Sequence, residues 1–327
     1  MRKKALLIGI NDYPDPHKLR GCLEDINCLR LAIEKNGDGS PNFDIRLMPN
    51  VQCSGDAMEA IQELFGDDPD VALLYFSGHG YVNTSGAEIV FPNDLRDEHN
   101  YYNGLQMSNI MNIVNGSNAR NKIVILDCCH SGNIGKYNIQ SDTSHLNSGV
   151  SILTACREDE YAQEIGGHGV FTELLCDALA GGASDYCGNI TVGGVYAYID
   201  RSLGAWQQRP VFKTNVVEFV PLKNVVSSVS AATIRELTEL FPNPEDEMPL
   251  DPSFEDTNSP SITHKIVEPY ADEQNVRKFK VLQKLQSIGF VKPIGCEYMY
   301  FAAMERKACK LTALGKYYWR LVKNGRI

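Results

Sequence analysis

The chain has ten cysteines but no C-x-x-C pair; its closest cysteine spacings are Cys128-Cys129 and Cys22 to Cys28. Adjacent cysteines cannot share a tetrahedral metal without strain, so no zinc site and no cofactor are expected. No apolar run approaches the roughly 20 residues that span a bilayer, which argues against a membrane partner. Met1-Arg-Lys-Lys is followed by only six mostly apolar residues before Asn11-Asp12, which is short for a secretory core. The expectation is a cytoplasmic protein with reduced thiols. Basic residues are also missing from one long stretch: no Lys or Arg stands between Arg235 and Lys265.

That gap has a composition of its own. It holds Pro242-Asn-Pro-Glu-Asp-Glu-Met-Pro-Leu-Asp-Pro252 and Glu255-Asp-Thr-Asn-Ser-Pro260. Proline, acidic and small polar residues bury too little area to order themselves. Residues 223–262 therefore read as an acidic Pro-rich linker between a body, 1–222, and a small module, 263–327. Charge follows the same division. From Lys265 to Ile327 there are 13 Lys/Arg against 5 Asp/Glu, and elsewhere 18 against 36. A body of this length can enclose a substantial core.

Within the body, short apolar runs alternate with helical patterns. Ala5–Ile10, the alternating Phe43, Ile45 and Leu47, Val71–Phe76, Ile123–Leu126 and Val150–Ala155 read as strands. Leu19–Glu34, Ala57–Phe65, Leu105–Val114, Phe171–Leu179 and Val192–Leu203 read as helices. This order predicts an α/β fold with a mostly parallel sheet covered on both faces. In such sheets the ligand crevice lies outside the carboxyl ends of the strands.

Two strand ends carry the chemistry: Tyr75-Phe-Ser-Gly-His-Gly80 and Lys122-Ile-Val-Ile-Leu-Asp-Cys-Cys-His-Ser-Gly132. His79 leaves one strand and Cys129 the other, 50 residues apart, the ingredients of a thiol nucleophile with an imidazole base. Strand alternation groups Ser77 with His79 and Asp127 with Cys129, and turns Cys128 into packing. Cys129 is thereby selected as nucleophile; His79 takes its proton and returns it to the leaving amine. The backbone N–H groups of Gly80 and Cys129 are the candidate oxyanion donors. Cys22, Cys28, Cys156 and Cys176 read as small buried residues, although the position of Cys22 allows more, and His130 reads as structural. Asp25 sits on a predicted helix that otherwise faces solvent.

Ser-Gly-His-Gly at 77–80 and Asp-Cys-Cys-His-Ser-Gly at 127–132 resemble the paired signatures of caspase-like clan CD peptidases, above all metacaspases and bacterial caspase homologues. Leu19-Arg-Gly-Cys-Leu-Glu-Asp25, Leu153-Thr-Ala-Cys-Arg-Glu-Asp-Glu-Tyr-Ala-Gln-Glu164 and His168-Gly-Val-Phe-Thr172 extend the resemblance across about Arg2 to Val217. It implies a caspase-like three-layer sandwich and a cysteine endopeptidase acting on proteins or peptides. It also implies an acidic first-subsite pocket for Arg or Lys, formed by Cys22, Asp25, Ser77 and Asp127. Two carboxylates can offset the desolvation of a guanidinium and bind it bidentately. Cleavage after aspartate would need cationic clamps; Arg20 and Arg157 are the nearest candidates, and no motif places them. Calcium dependence is not expected, because Tyr81–Asp94 offers only Glu88 and Asp94. The stretch Asn133–Ser148 holds one basic residue, Lys136, as a self-cleavage point. Bacterial relatives of this kind are effectors of antiphage defence or cell death, triggered by a partner protein or a nucleotide second messenger. The alternative readings are a catalytically inactive caspase-like adaptor, or a protease and DNA-binding regulator working through a winged-helix-like tail.

The tail has its own pattern. Val276, Phe279, Leu282, Leu285 and Ile288 recur at helical spacing, Phe290–Pro293 and Tyr298–Met304 read as a hairpin, and Leu311–Val322 as a final helix. Helix, hairpin wing and closing helix resemble a winged-helix domain. A regulatory or docking role is favoured over DNA binding, which the local positive charge would allow.

Overall fold

The computed structural model describes residues 1–83, 86–94, 104–128, 145–155, 164–165, 168–204, 209–218, 220–256 and 267–327. The chain divides into two compact units, Met1–Val226 and Ser227–Ile327.

The first unit is built on a six-stranded sheet. Its strands are β1 (Lys3–Gly9), β2 (Asp44–Pro49), β3 (Val71–Ser77), β7 (Asn121–Asp127), β8 (Val150–Thr154) and β12 (Val211–Thr214). Their spatial order is β12-β8-β7-β3-β1-β2. Five strands are parallel, and β12 runs antiparallel to β8 at one edge. Every residue of β3 and β7 is buried, as expected for central strands covered on both faces. One face packs Ile8, Leu74, Phe76, Val124, Leu126 and Cys128 against α2 (Ser54–Gly66) and α3 (Met107–Gly116). The other packs Leu7, Leu73, Tyr75, Ile123 and Ile125 against α1 (Cys22–Ile33), α4 (Val170–Asp177) and α5 (Val192–Leu203). The parallel α/β reading holds; the antiparallel edge strand was not foreseen.

Beyond the main sheet stand three small pairings. The strands β4 (Gly80–Asn83), β5 (Gly86–Ile89) and β6 (Leu105–Gln106) form an antiparallel sheet directly after His79. Leu105 and Gln106 were expected to be helical, but α3 begins only at Met107. The pairs β9 (Glu164–Ile165) with β10 (His168–Gly169), and β11 (Asn189–Ile190) with β13 (Lys223–Asn224), are also antiparallel.

The second unit corrects the expected linker. Residues 227–256 carry α6 (Ala231–Arg235), α7 (Leu237–Leu240) and β14 (Glu247–Pro249), not a spacer. Their Val229, Ile234, Leu237, Phe241, Leu250 and Phe254 are buried in one core with Phe279, Leu282 and Leu285 of α8 (Glu273–Ser287). The acidic and proline residues stand between these apolar anchors. The expected hairpin changes as well: β15 (Val291–Pro293) is a strand, but Met299–Met304 is a helix, α9. The antiparallel partner of β15 is β16 (Ala308–Leu311), which also pairs with β14; α10 (Ala313–Lys323) closes the unit. Alanines 302 and 303 and Met299 are buried one helical turn apart, a spacing a strand could not bury on one side. Once the acidic segment belongs to this unit, Ser227–Ile327 holds 14 Lys/Arg against 13 Asp/Glu. The local positive charge is thus balanced within the unit.

Lys3 ties the sheet of the first unit to its closing segment. Its buried ammonium donates to Asn42 Oδ1 (2.8 Å), Pro221 O (2.9 Å) and Leu222 O (3.2 Å). Burial pushes its pKa down to about 8 from 10.5. Lys3→Met should cost about 2 kcal/mol near neutral pH, because three acceptors lose their donor. Between pH 8 and 10.5 the unfolded chain holds this proton more tightly than the folded one, so the wild type should gain stability relative to Lys3→Met as pH rises. Urea unfolding of both proteins across that range measures the slope.

Candidate active site

The site begins with a close approach of helix to strand. Gly9 ends β1, and a Cβ there would stand 2.4 Å from the carbonyl oxygen of Cys22. Only glycine lets the first turn of α1 seat on the strand at this distance. The helix turns Cys22, Asp25, Ile26, Leu29 and Ile33 inward. Asp25 is therefore buried, with 3% of its surface exposed, as a pocket position would need and unlike the solvent-facing side of the same helix.

Next to it, Ser77 and Asp127 are direct neighbours at the ends of β3 and β7. Both are buried on the face covered by α1 and α4. Ser77 Oγ donates to Asp25 Oδ2 at 2.8 Å. Thr172 of α4 donates to Asp127 Oδ2 at 2.7 Å, and the Tyr75 hydroxyl lies 2.6 Å from Thr172 Oγ1. With the threonine proton directed at the carboxylate, Tyr75 is the donor to Thr172. Burial, and then the charges of Asp127 and Asp25, hold the Tyr75 phenol far above its ordinary pKa, so it keeps that proton. These bonds offset part of the cost of removing two carboxylates from water.

His79 is gripped by the loop between β1 and α1. Its Nε2 lies 2.7 Å from the backbone carbonyl of His17. A carbonyl can only accept, so Nε2 carries the proton, and in the neutral ring Nδ1 holds the lone pair. The backbone N–H of His79 donates to the Tyr13 hydroxyl at 3.0 Å, and the two rings meet edge to face at 4.5 Å. Gly80 follows as the first residue of β4.

Of the expected residues, Cys22, Asp25, Ser77 and Asp127 gather at the carboxyl end of the sheet, with His79 two residues beyond Ser77. Cys128 is buried on the opposite face, among the α2 and α3 contacts, as alternation predicted. Cys129, with its backbone donor, and His130, Cys156, Arg157 and Lys136 lie outside the described residues. Arg20 is exposed. Among the described residues no group of three or more His, Cys, Asp or Glu is arranged to hold a metal ion. Sequence reasoning missed Tyr13, His17, Tyr75 and Thr172. Thr172 stood inside a recognised segment without a role; Tyr13 and His17 lie in an irregular loop, where no periodicity marks them.

Residues 2–216 match the caspase domain family, two thirds of the chain, and the protein belongs to that family. Among curated relatives, Metacaspase-1 of Candida albicans is 29% identical over 153 residues, covering 41% of this chain and 34% of that protein. Metacaspase-6 of Arabidopsis thaliana is 26% identical over 200 residues, covering 55% of this chain and 52% of that one. The chain thus spans about half or less of these relatives' length. A solved structure from Geobacter sulfurreducens superposes with a TM-score of 0.50 at 18% identity, over 69% of this chain and 100% of that one, a likeness of fold alone.

Gly9→Ala tests the helix seat. The new methyl meets backbone rather than a mobile side chain, so a loss of about 1–3 kcal/mol is expected in urea unfolding. Gly55→Ala in α2, where nothing lies within 4 Å of the added Cβ, should leave stability equal or higher.

Proposed function

We propose that the first unit is a cysteine endopeptidase that cleaves after Arg or Lys, with Cys129 as nucleophile and His79 as base. The observation that carries this reading is a pair of buried carboxylates at one sheet end: Asp25, bonded to Ser77, and Asp127, in register with Ser77 on the neighbouring strand. A guanidinium or ammonium entering such a pocket exchanges its hydration for two fixed acceptors, which favours a basic side chain over a neutral or acidic one. Cys22, at the start of the same helix, would supply a pocket wall.

The chemistry follows from the tautomer. Nδ1 of His79 accepts the Cys129 proton, and the thiolate sulfur adds to the scissile carbonyl carbon. The N–H groups of Gly80 and Cys129 receive the oxyanion, a contribution of about 3 kcal/mol per donor in other enzymes. The imidazolium then protonates the leaving amine as the C–N bond breaks, leaving a thioester. Water, deprotonated by His79, hydrolyses the thioester and restores the thiol. The His17 carbonyl stabilises the imidazolium and fixes its orientation.

The family resemblance supports a regulated effector in bacterial antiphage defence or cell death, acting on protein substrates and awaiting a partner or nucleotide signal. The second unit is the natural place for that control. Its strand order, β14-β16-β15, supports the winged-helix-like reading, while its balanced charge favours docking over DNA binding.

Fluorogenic peptides with Arg, Lys or Asp at the cleaved position test the proposal. Arg and Lys peptides should be cut, the Asp peptide not, and Cys129→Ala should abolish all turnover. Asp25→Ala and Asp127→Ala should each lower kcat/KM on the arginyl peptide by about 100-fold or more while remaining folded. Equal cleavage by the aspartate variants would overturn the pocket assignment.

A further inference from the structure

We infer that Tyr13 is a positioning residue for the base, and that it acts by completing a backbone pairing the chain leaves half made. This inference rests on His79 being the base. Gly80 and Ile89 pair as the first residues of the β4–β5 ladder, which puts His79 opposite Val90 one step before it. In an antiparallel ladder a hydrogen-bonded pair exchanges two N–H···O bonds. Here one of them is direct: Val90 N–H donates to the His79 carbonyl at 3.0 Å. The other runs through a side chain. The His79 N–H donates to the Tyr13 hydroxyl at 3.0 Å, and that hydroxyl donates to the Val90 carbonyl at 2.9 Å. One phenol oxygen therefore replaces the missing bond and holds the pair open by its own width.

Three further observations fit the same role. Tyr13 is almost wholly buried, with 1% of its surface exposed, so neither backbone group it satisfies has ready access to water. Burial also raises the pKa of the phenol, which keeps the proton that Val90 accepts. Gly78, beside the base, has no room for a side chain: a Cβ there would lie 2.7 Å from the Tyr13 hydroxyl and 2.8 Å from the Phe76 ring. The tyrosine and the Phe76 ring together leave space only for the glycine of the Ser-Gly-His motif. The ring edge contact at 4.5 Å then limits rotation of the imidazole and keeps Nε2 on the His17 carbonyl.

Tyr13→Phe removes one oxygen and keeps the ring. On the reading above, the imidazole loses its fixed backbone, its Nε2–H···O bond loosens, and the neutral ring samples both tautomers. The expected result is a fall in kcat of at least 10-fold on the arginyl peptide, with KM within 2-fold, because substrate contacts are untouched. In the Cys129→Ala background, long-range ¹⁵N–¹H correlation spectra should show a single Nε2–H tautomer for His79 with tyrosine present and a mixture in Tyr13→Phe. The spectra do not depend on turnover. A tautomer change in a protein that cuts no peptide would therefore uphold the positioning role and sink the peptidase reading. An unchanged kcat, or a lower kcat with the Nε2–H tautomer intact in a folded variant, would overturn the inference.

Discussion

The site depends on a contact without a side chain: the first turn of α1 resting on Gly9. A methyl at that position would overlap the Cys22 carbonyl, so the absence of one sets the distance between helix and sheet. That distance carries Asp25 to Ser77, and Ser77 stands in register with Asp127 on the neighbouring strand. The parallel sheet does the rest by ending β3 and β7 at the same level. Two carboxylates far apart in sequence thereby share one buried space, which hydroxyl donors from β3 and α4 make tolerable. A less close helix would leave Asp25 in water, where it could hold a cation only weakly.

The loop preceding α1 extends the same arrangement to His79, the proposed base. His17 fixes which nitrogen of His79 carries the proton, and Tyr13 fixes the backbone from which the ring projects. The residues between β1 and α1 therefore hold both His79 and the start of the helix that carries Asp25. A displacement of that loop would disturb the His79 ring and the helix start at once.

Much of this could be read from the sequence, and for definite reasons. Continuous apolar runs such as Val71–Phe76 and Ile123–Leu126 announce central strands, and the period of two assigns Cys128 to packing and Asp127 to the site face. Only the resemblance points to Asp25 as a pocket residue, because helical periodicity around Leu19–Glu34 does not reveal that the helix start is drawn onto a glycine. Tyr13 escaped because its role is set by two backbone groups that a sequence does not place side by side. The segment after Val226 has the composition of a linker but is folded. Proline and acid dominate it, yet Val229, Ile234, Leu237, Phe241, Leu250 and Phe254 are spaced widely enough to anchor it in a core. Tyr298–Met304 reads as a strand in the sequence, whereas the burial of Met299, Ala302 and Ala303 follows a helical turn.

In the proposed reaction, one end of this sheet holds an arginine side chain while a thiol beside His79 attacks the adjoining carbonyl. A crystal structure of the protein after reaction with a peptidyl-arginyl chloromethyl ketone tests it most directly. The inhibitor carbon should stand on Cys129 Sγ, the guanidinium against Asp25 and Asp127, and Nδ1 of His79 toward the sulfur. Alkylation at another cysteine, or an arginine side chain lying in solvent away from both carboxylates, would contradict it.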